Sequence, residues 1–458
     1  MNRIVPLDAL PSFALETDVL VCGFGGAGAC ATLEARAQGA EVILLERFSG
    51  GGGSTALSAC EMYLGGSGGT RLQRELGIED SSENFRAYLS ECFGPFADPA
   101  RVDVFVDGAA AHFDWIESLG VRYKRELYPE REVVCLTGAS LQYTGNERAH
   151  PFPSVSRPVP RGHLPADAGH DGGKVLMGVV MQRVRESGAD IRYDSRAVAL
   201  VQDRDGAVHG AIVRSAGQEI AIRARRGVVL TMGGFIMNEE MTRRHIPQLE
   251  GFCTRHGNPG DQGDGILMGV AAGDNAIHMG QAFISVAHYP PALTTFGIFV
   301  NEQGQRFVNE DVYLARVGHY ASVQTGMRFF MFTDEPHFAR PDYHQTTEVV
   351  AVGETVEEVE REAGLPAGSL QQTIAYYNAH AGRGDDPLFH NAAEWLAPLT
   401  KPPFALIDYS LPKLKPHVFT LGGLDTLPTG EVLTPDGRPV PGLYAAGRTA
   451  AGIPRTCQ

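Results

Sequence analysis

Two hydrophobic periods alternate along the chain, and their order predicts its architecture. Val19, Leu20 and Val21 make a short apolar run, and helical spacing then holds from Ala27 to Gln38. Ala31, Leu33, Ala35 and Ala37 give that helix small faces able to lie close against a sheet. A second strand is predicted from Glu41 to Leu45. Helical spacing returns over Ser82 to Cys92, over Val102 to Leu119 with Gly120 as the stop, and over Gly172 to Glu186. The last of these places Val175, Leu176, Val179 and Val180 on one face, while His112 and Trp115 read as core or partner-helix residues. Short strands at 191–193, 197–201, 207–213 and 220–222 form a meander, and a separate buried strand, Gly227 to Leu230, runs into Gly233 and Gly234. A helix from Ile266, a strand at 297–300, helices at 356–363 and 370–381, and a short strand ending at Gly447 complete the pattern.

The first strand turns through Gly23, Gly25 and Gly28, a G-x-G-x-x-G at a strand-to-helix junction. One glycine permits the tight turn, one lets backbone approach a pyrophosphate, and one lets helix meet strand. The helix N-terminus then faces the anion with free amides and a favourable dipole. Glu46, at the end of the second strand, is where a carboxylate would bond a ribose hydroxyl. Just beyond it, Gly50 to Gly53 and Ser54 form a second bare stretch, able to pass close to another part of the cofactor. Nicotinamide domains rarely carry that second cluster, so FAD is favoured over NAD. The strand end at Gly233-Gly234 supplies a third close approach.

Composition narrows the class without changing the fold. The 458 residues suffice for two domains, and 43% hydrophobic with 20% charged residues is ordinary for a globular chain. A net charge of -15 without a basic stripe excludes a nucleic-acid surface. Seven dispersed cysteines suggest reduced thiols, and no apolar run reaches a membrane span, so the expected compartment is the cytoplasm. Arg157 to His163 either presents guanidinium groups to an anion or crosses the surface as a proline-stiffened loop, the loop being favoured. Asp261 and Asp264 lie in a glycine turn and suit turn and cap roles better than a metal site. The changed texture from residue 276 to 415 suggests an inserted substrate domain, giving 1–275 as the first part of the cofactor domain and 416–458 as its return.

With these segments in hand, the chain resembles the fumarate reductase and 3-ketosteroid dehydrogenase flavoprotein family over essentially its whole length. The resemblance rests on the Gly23 to Gly28 turn, Glu46, Gly53 to Ser58, Thr231 to Gly234, Gly263-Asp264-Gly265, Arg306 to Asp311 and Pro441 to Gly447. It implies an α/β fold, with a glutathione-reductase-type, Rossmann-like FAD domain and an α+β insert. Cofactor contacts are expected from Gly23, Gly25, Gly26, Ala27, Gly28, Glu46, Arg47, Gly53, Ser54, Thr55, Ser58, Ala197, Val198, Gly233, Gly234, Asp264, Gly447 and Arg448. No histidine stands near the second glycine cluster, which implies non-covalent FAD. Fumarate reductases place an arginine proton donor where this chain has Leu314, with Arg316 out of step.

Tyr313, Pro387 to His390, Glu394-Trp395 and Phe419 to Leu424 look most like the 3-ketosteroid Δ4-(5α)-dehydrogenases. That resemblance implies oxidation of a 5α-saturated 3-ketosteroid, with Tyr313 relaying a proton and Tyr320 the weaker candidate. A tyrosine merely bonded to backbone is the plain alternative for Tyr313. A Δ1-dehydrogenase or an enoate reductase is the competing enzyme. The family continues with a Gly-Tyr-x-Ser-Gly stretch and a final helix, whereas the sequence stops at Cys457-Gln458 and is expected to lack that segment. A flavin-binding protein without dehydrogenase activity is therefore the alternative of another class.

Overall fold

A computed structural model describes residues 3–343 and 346–454, which leaves Cys457 outside the described residues. The chain opens with β1 (Ile4–Pro6), β2 (Leu15–Cys22), α1 (Gly26–Ala37) and β3 (Val42–Leu45). β2 and β3 pair in parallel, as a crossover through a helix requires. Their side chains alternate between two cores. Leu20, Cys22, Ile43 and Leu45 face one, while Val21, Val42 and Leu44 face the other beneath α1.

The rest of the sheet is β4 (Asp190–Arg192), β5 (Ser195–Gln202), β6 (Val208–Ser215), β7 (Gln218–Leu230), β8 (Glu431–Leu433) and β9 (Pro439–Ala445). Its order is β1-β5-β6-β7-β2-β3-β4, with β9 parallel to β7 and β8 antiparallel to β9. The two strands expected at 220–222 and 227–230 are one continuous strand, β7. Between them Arg225-Arg226 forms a bulge opposite Asp18, whose carboxylate lies 3.0 Å from Arg225 Nε. β7 uses one edge for β2 and divides the other between β6 and β9. The architecture is thus the expected α/β class with a mixed insert.

Helices α2 (Ser82–Phe93) and α3 (Pro99–Leu119) pack through Phe85, Val102, Val106 and Phe113. Asp98 caps α3, and Gly120 ends it in the left-handed region. His112 is exposed and stacks on Trp115 at 5.5 Å, so neither enters the core as expected. Helix α4 (Gly172–Glu186) buries Met177, Val180 and Val184, whereas Val175 faces solvent. The valine run suggests one face, but the four-residue spacing from Gly173 to Met177 determines the buried one.

Of the expected surface loop at Arg157 to His163, Arg157 is exposed but Val159 to His163 is interior. Gly162–His163 is a strand between 62–63 and 141–142. Arg161 is fully buried and donates from Nε and Nη2 to both oxygens of Asp80, each at 2.7 Å. The His163 ring donates from Nδ1 to the Arg161 carbonyl at 2.7 Å and meets Thr70 Oγ1 through Nε2 at 2.8 Å. Burial lowers its pKa to about 4. Prolines and polar residues signal a loop only when their partners are invisible, and here the partners lie some 80 to 90 residues earlier.

Helix α5 (Asp264–Ala271) begins two residues before the predicted Ile266. In the insert, α6 (Leu314–Ser322) lies on the strand 282–285 and sets Gly318 directly against the Ile284 carbonyl. A four-stranded antiparallel sheet, ordered 298–301, 329–333, 404–408 and 348–353, packs under α7 (Val356–Ala363) and α8 (Ser369–Ala381). A three-stranded sheet takes 254–255, 417–420 and 282–285, one strand from each of the three expected segments. No helix among the described residues is long and apolar enough to cross a membrane.

Arg161→Met should strand the Asp80 carboxylate and destabilise the protein by about 3–5 kcal/mol, read as a lower denaturant midpoint. Nearby, burial pushes the Glu61 carboxyl up to about 8. A raised folded-state value gives stability that is full below the unfolded-state pKa and is lost as pH rises through about 8. Glu61→Gln should therefore raise the melting temperature above wild type at pH 9 and leave it nearly unchanged at pH 4.

Candidate functional site

Four stretches of bare backbone meet at the carboxyl ends of β2, β3, β7 and β9, the end of a parallel sheet where ligands bind. They enclose a cleft of about 410 Å³. Gly23, Gly25, Gly26 and Ala27 line it from the first turn; Gly53, Ser54, Thr55 and Ser58 line it from the second. Gly233 comes from the end of β7, and Gly447 and Arg448 from the end of β9. Ala197 lines the side wall, with Glu46 and Arg47 at the end of β3. The two glycine turns touch backbone to backbone: a Cβ on Gly53 would sit 3.0 Å from Gly25 Cα. The first-turn amides of α1 have no intrahelical acceptor, and Gly26 N–H already reaches Thr55 Oγ1 at 3.2 Å.

Four of the expected contacts lie off the cleft. A Cβ on Gly28 would fall 1.9 Å from the Gly23 carbonyl oxygen and 2.8 Å from Thr231 Oγ1, so its work is to bring α1 against β2. Val198 points to the opposite face of β5 from Ala197 and packs near Val5 and Leu10. Gly234 backs onto Thr420. Asp264 is buried outside the cleft, ion-paired to Arg3 at 2.9 Å and Arg196 at 2.6 Å.

Among the cleft residues that sequence reasoning missed is Asp261, which the glycine turn disguises as a loop residue. Its buried carboxylate accepts from Ser54 Oγ at 2.7 Å and pairs with the Arg448 guanidinium. Gly233 must lack a side chain, because a Cβ there would lie 2.0 Å from the same carboxylate. One charge thus binds the second turn, the β7 end and the β9 end together. Among the described residues, Arg448 Nη1 is buried without a partner. Glu46 accepts from Phe24 N–H at 3.0 Å and Phe48 N–H at 2.9 Å, which fixes the first turn against β3. A carboxylate has about four lone-pair sites, so it keeps acceptor capacity. His256 also lines the cleft, stacked on His417 at 5.1 Å, and burial, then the charges of His417 and Arg448, lowers its pKa.

Beyond Arg448 the wall becomes aromatic. Phe419 lines the cleft and stacks on Phe283 at 4.6 Å, and Phe283 lies 6.2 Å from Tyr313. Tyr313, Leu314, Ala315, Ala287, Leu421 and Val133 close this into a separate apolar cluster. Tyr313 occupies the N-cap of α6 and is partly buried. Tyr320 is not brought there. Seven residues on, about 10 Å along the helix, it joins a different cluster with the Arg316 guanidinium 5.5 Å over its ring.

Comparison with known proteins agrees with this layout. A family model described as FAD binding domain matches residues 18–458. The structure is similar to that of a 3-ketosteroid-Δ4-(5α)-dehydrogenase from Rhodococcus jostii RHA1 in complex with 4-androstene-3,17-dione. The TM-score is 0.92 at 37% identity, covering 100% of this chain and 95% of that one. A 3-oxo-5-alpha-steroid 4-dehydrogenase of Comamonas testosteroni is 27% identical over 94% of this chain and 92% of its own length. A probable fumarate reductase of Shewanella frigidimarina is 28% identical over 95% of this chain and 70% of its own length.

Gly28→Ala should force α1 away from β2 with strain of about 1–3 kcal/mol, read as a roughly 10- to 100-fold weaker affinity for FAD in a titration followed by flavin fluorescence.

Proposed function

We propose, because this chain belongs to the FAD binding domain family, that it dehydrogenates a 5α-saturated 3-ketosteroid to the 4-ene-3-one. The observation that carries the proposal is the apolar cluster around Tyr313, set beside the cleft across Phe419 and Phe283. A fused-ring ketone needs an oily wall and one polar group near its carbonyl. A dicarboxylate instead needs guanidinium or imidazolium partners. Leu314 stands where fumarate reductases place an arginine proton donor, and it is buried among aliphatic and aromatic neighbours. Of the two nearby arginines, Arg131 is held by backbone and Arg316 is covered by aromatic rings, although among the described residues the Nε of each is buried without a partner. Arg131 donates to Thr295 Oγ1 and to the Glu310 and Val312 carbonyls, while Arg316 lies over the rings of Phe152 and Tyr320. The full-length likeness to the Rhodococcus steroid enzyme points the same way.

The cleft fits FAD, the cofactor of this family. Its two glycine turns form a cradle that side chains would fill, and the unpartnered Arg448 Nη1 offers a donor for a cofactor oxygen. Bound non-covalently, FAD supplies a hydride acceptor. The chain supplies the rest. Gly23, Gly25, Gly26 and Ala27 with the α1 dipole hold the pyrophosphate, and Glu46 takes a ribose hydroxyl. Phe419, Phe283 and Leu421 exclude water and orient the steroid plane. Tyr313 moves the proton alpha to the ketone at its phenol oxygen, a group with an unperturbed pKa of ~10 that suits a dry pocket. The partners are accordingly a small hydrophobic substrate and a separate electron acceptor.

Anaerobic addition of a 5α-saturated 3-ketosteroid to the yellow protein should bleach its visible absorbance and yield a product unsaturated at C4. A double bond at C1 would indicate a Δ1-dehydrogenase, and no bleaching by any 3-ketosteroid would reject the steroid assignment. Tyr313→Phe should retain FAD while slowing bleaching by about 10²- to 10⁴-fold.

A further inference from the structure

Tyr313 stands at the start of α6, where its side chain cannot cap the helix and its own amide points away from the ladder. That amide is taken by a residue 167 positions earlier: Tyr313 N–H donates to Asn146 Oδ1 at 2.8 Å. Asn146 is itself buried, on the turn Thr144 to Glu147. The turn is closed by its last residue. Glu147 is almost fully buried and accepts from Thr144 N–H at 3.1 Å, Thr144 Oγ1 at 2.8 Å and Gly145 N–H at 3.0 Å. Gly145 adopts φ +122°, and a Cβ there would meet Tyr289 Oη at 2.8 Å and Tyr313 Cα at 3.6 Å. The turn therefore lies within van der Waals reach of the Tyr313 backbone, and Tyr289 Oη is what leaves a Cβ on Gly145 no room.

The same carboxylate is anchored from behind. Tyr63 Oη donates to Glu147 at 3.0 Å, Arg161 Nη1 reaches Tyr63 Oη at 3.4 Å, and Arg161 holds Asp80. A line of buried hydrogen bonds runs from an ion pair in the first segment to the helix that presents the phenol. Each member restricts the next, so position at the far end is set by groups that touch neither substrate nor cofactor.

We propose that Asn146, presented by the turn that Glu147 closes, is a positioning residue for Tyr313. The proposal rests on the role given to Tyr313 above for its catalytic consequence, and on geometry alone for its structural one. A phenol held on a fixed helix start keeps its oxygen within proton-transfer reach of the substrate, and displacement by about 1 Å is enough to slow such a step by on the order of 10²-fold. Asn146→Asp preserves the acceptor oxygen and places a negative charge at a helix N-terminus, where the dipole favours it. Asn146→Ala removes the acceptor.

The test uses the flavin-loaded protein and two readouts. In amide hydrogen exchange, Asn146→Ala should speed exchange in the segment 309–322 by about tenfold and leave β7 unchanged, while Asn146→Asp restores protection. In steady-state assays with a 5α-saturated 3-ketosteroid, Asn146→Ala should lower kcat by about 10- to 100-fold and move the pH at which kcat is half-maximal. The flavin-to-protein absorbance ratio and KM should be kept. Unchanged exchange at 309–322, or wild-type kcat with an unmoved pH profile, overturns the proposal. If wild-type protein turns over no 3-ketosteroid, the functional reading fails, and the exchange result alone decides whether Asn146 positions Tyr313.

Discussion

A single buried carboxylate holds the cleft together. Asp261 accepts from Ser54, pairs with Arg448, and occupies the space that a side chain on Gly233 would need. Those three residues belong to stretches about 180 to 390 residues apart, each carrying its own piece of bare backbone. Charge-assisted hydrogen bonds are short and directional, so one anion can set the mutual placement of all three. The glycines then follow as a consequence: wherever the backbone must come close to the cofactor or to the anchoring charge, a Cβ has no room. Two walls with different duties result, a polar cradle for FAD and an aromatic and aliphatic wall beyond it.

Much of this was legible in the sequence, and the reasons are local. The glycine turns, Glu46 and the strand ends announce themselves through spacing, because one strand and one helix suffice to impose them. Hydrophobic period fixed α1, α3, α7 and α8 to within a residue or a few. What escaped depends on partners distant in the chain. Arg161 resembles a surface residue until Asp80 is beside it, and Asp261 resembles a turn residue until Ser54 and Arg448 converge on it. Adjacent residues were confused for a simpler reason: Ala197 and Val198 differ only in which face of a strand they occupy. Tyr313 and Tyr320 share a helix, yet two turns separate them into different clusters.

Leu314 illustrates how a shared frame can serve different chemistries. The backbone around it is held by groups that do not depend on its side chain: Arg131 grips the Glu310 and Val312 carbonyls, and Arg306 pairs with Glu310 and Asp386. The backbone of the helix start is therefore held independently of the Leu314 side chain. An aliphatic residue beside a phenol makes an oily pocket with one proton-handling group. An arginine in the same place, as in fumarate reductases, would put a different proton-handling group there. Function is set by the site that the fold carries.

The pairing of β9 with β7 has a consequence for how the protein is made. While the ribosome is still producing the insert, β7 already exists, with half of one edge open and its hydrogen-bonding groups unmet. More than 210 further residues must emerge before Leu443, Tyr444 and Ala445 can fill that edge. Such a long-range closure is slow to form and leaves a sticky ribbon waiting in the nascent polypeptide. The strands 254–255 and 282–285 likewise wait for 417–420, so several edges close only when the end of the chain arrives.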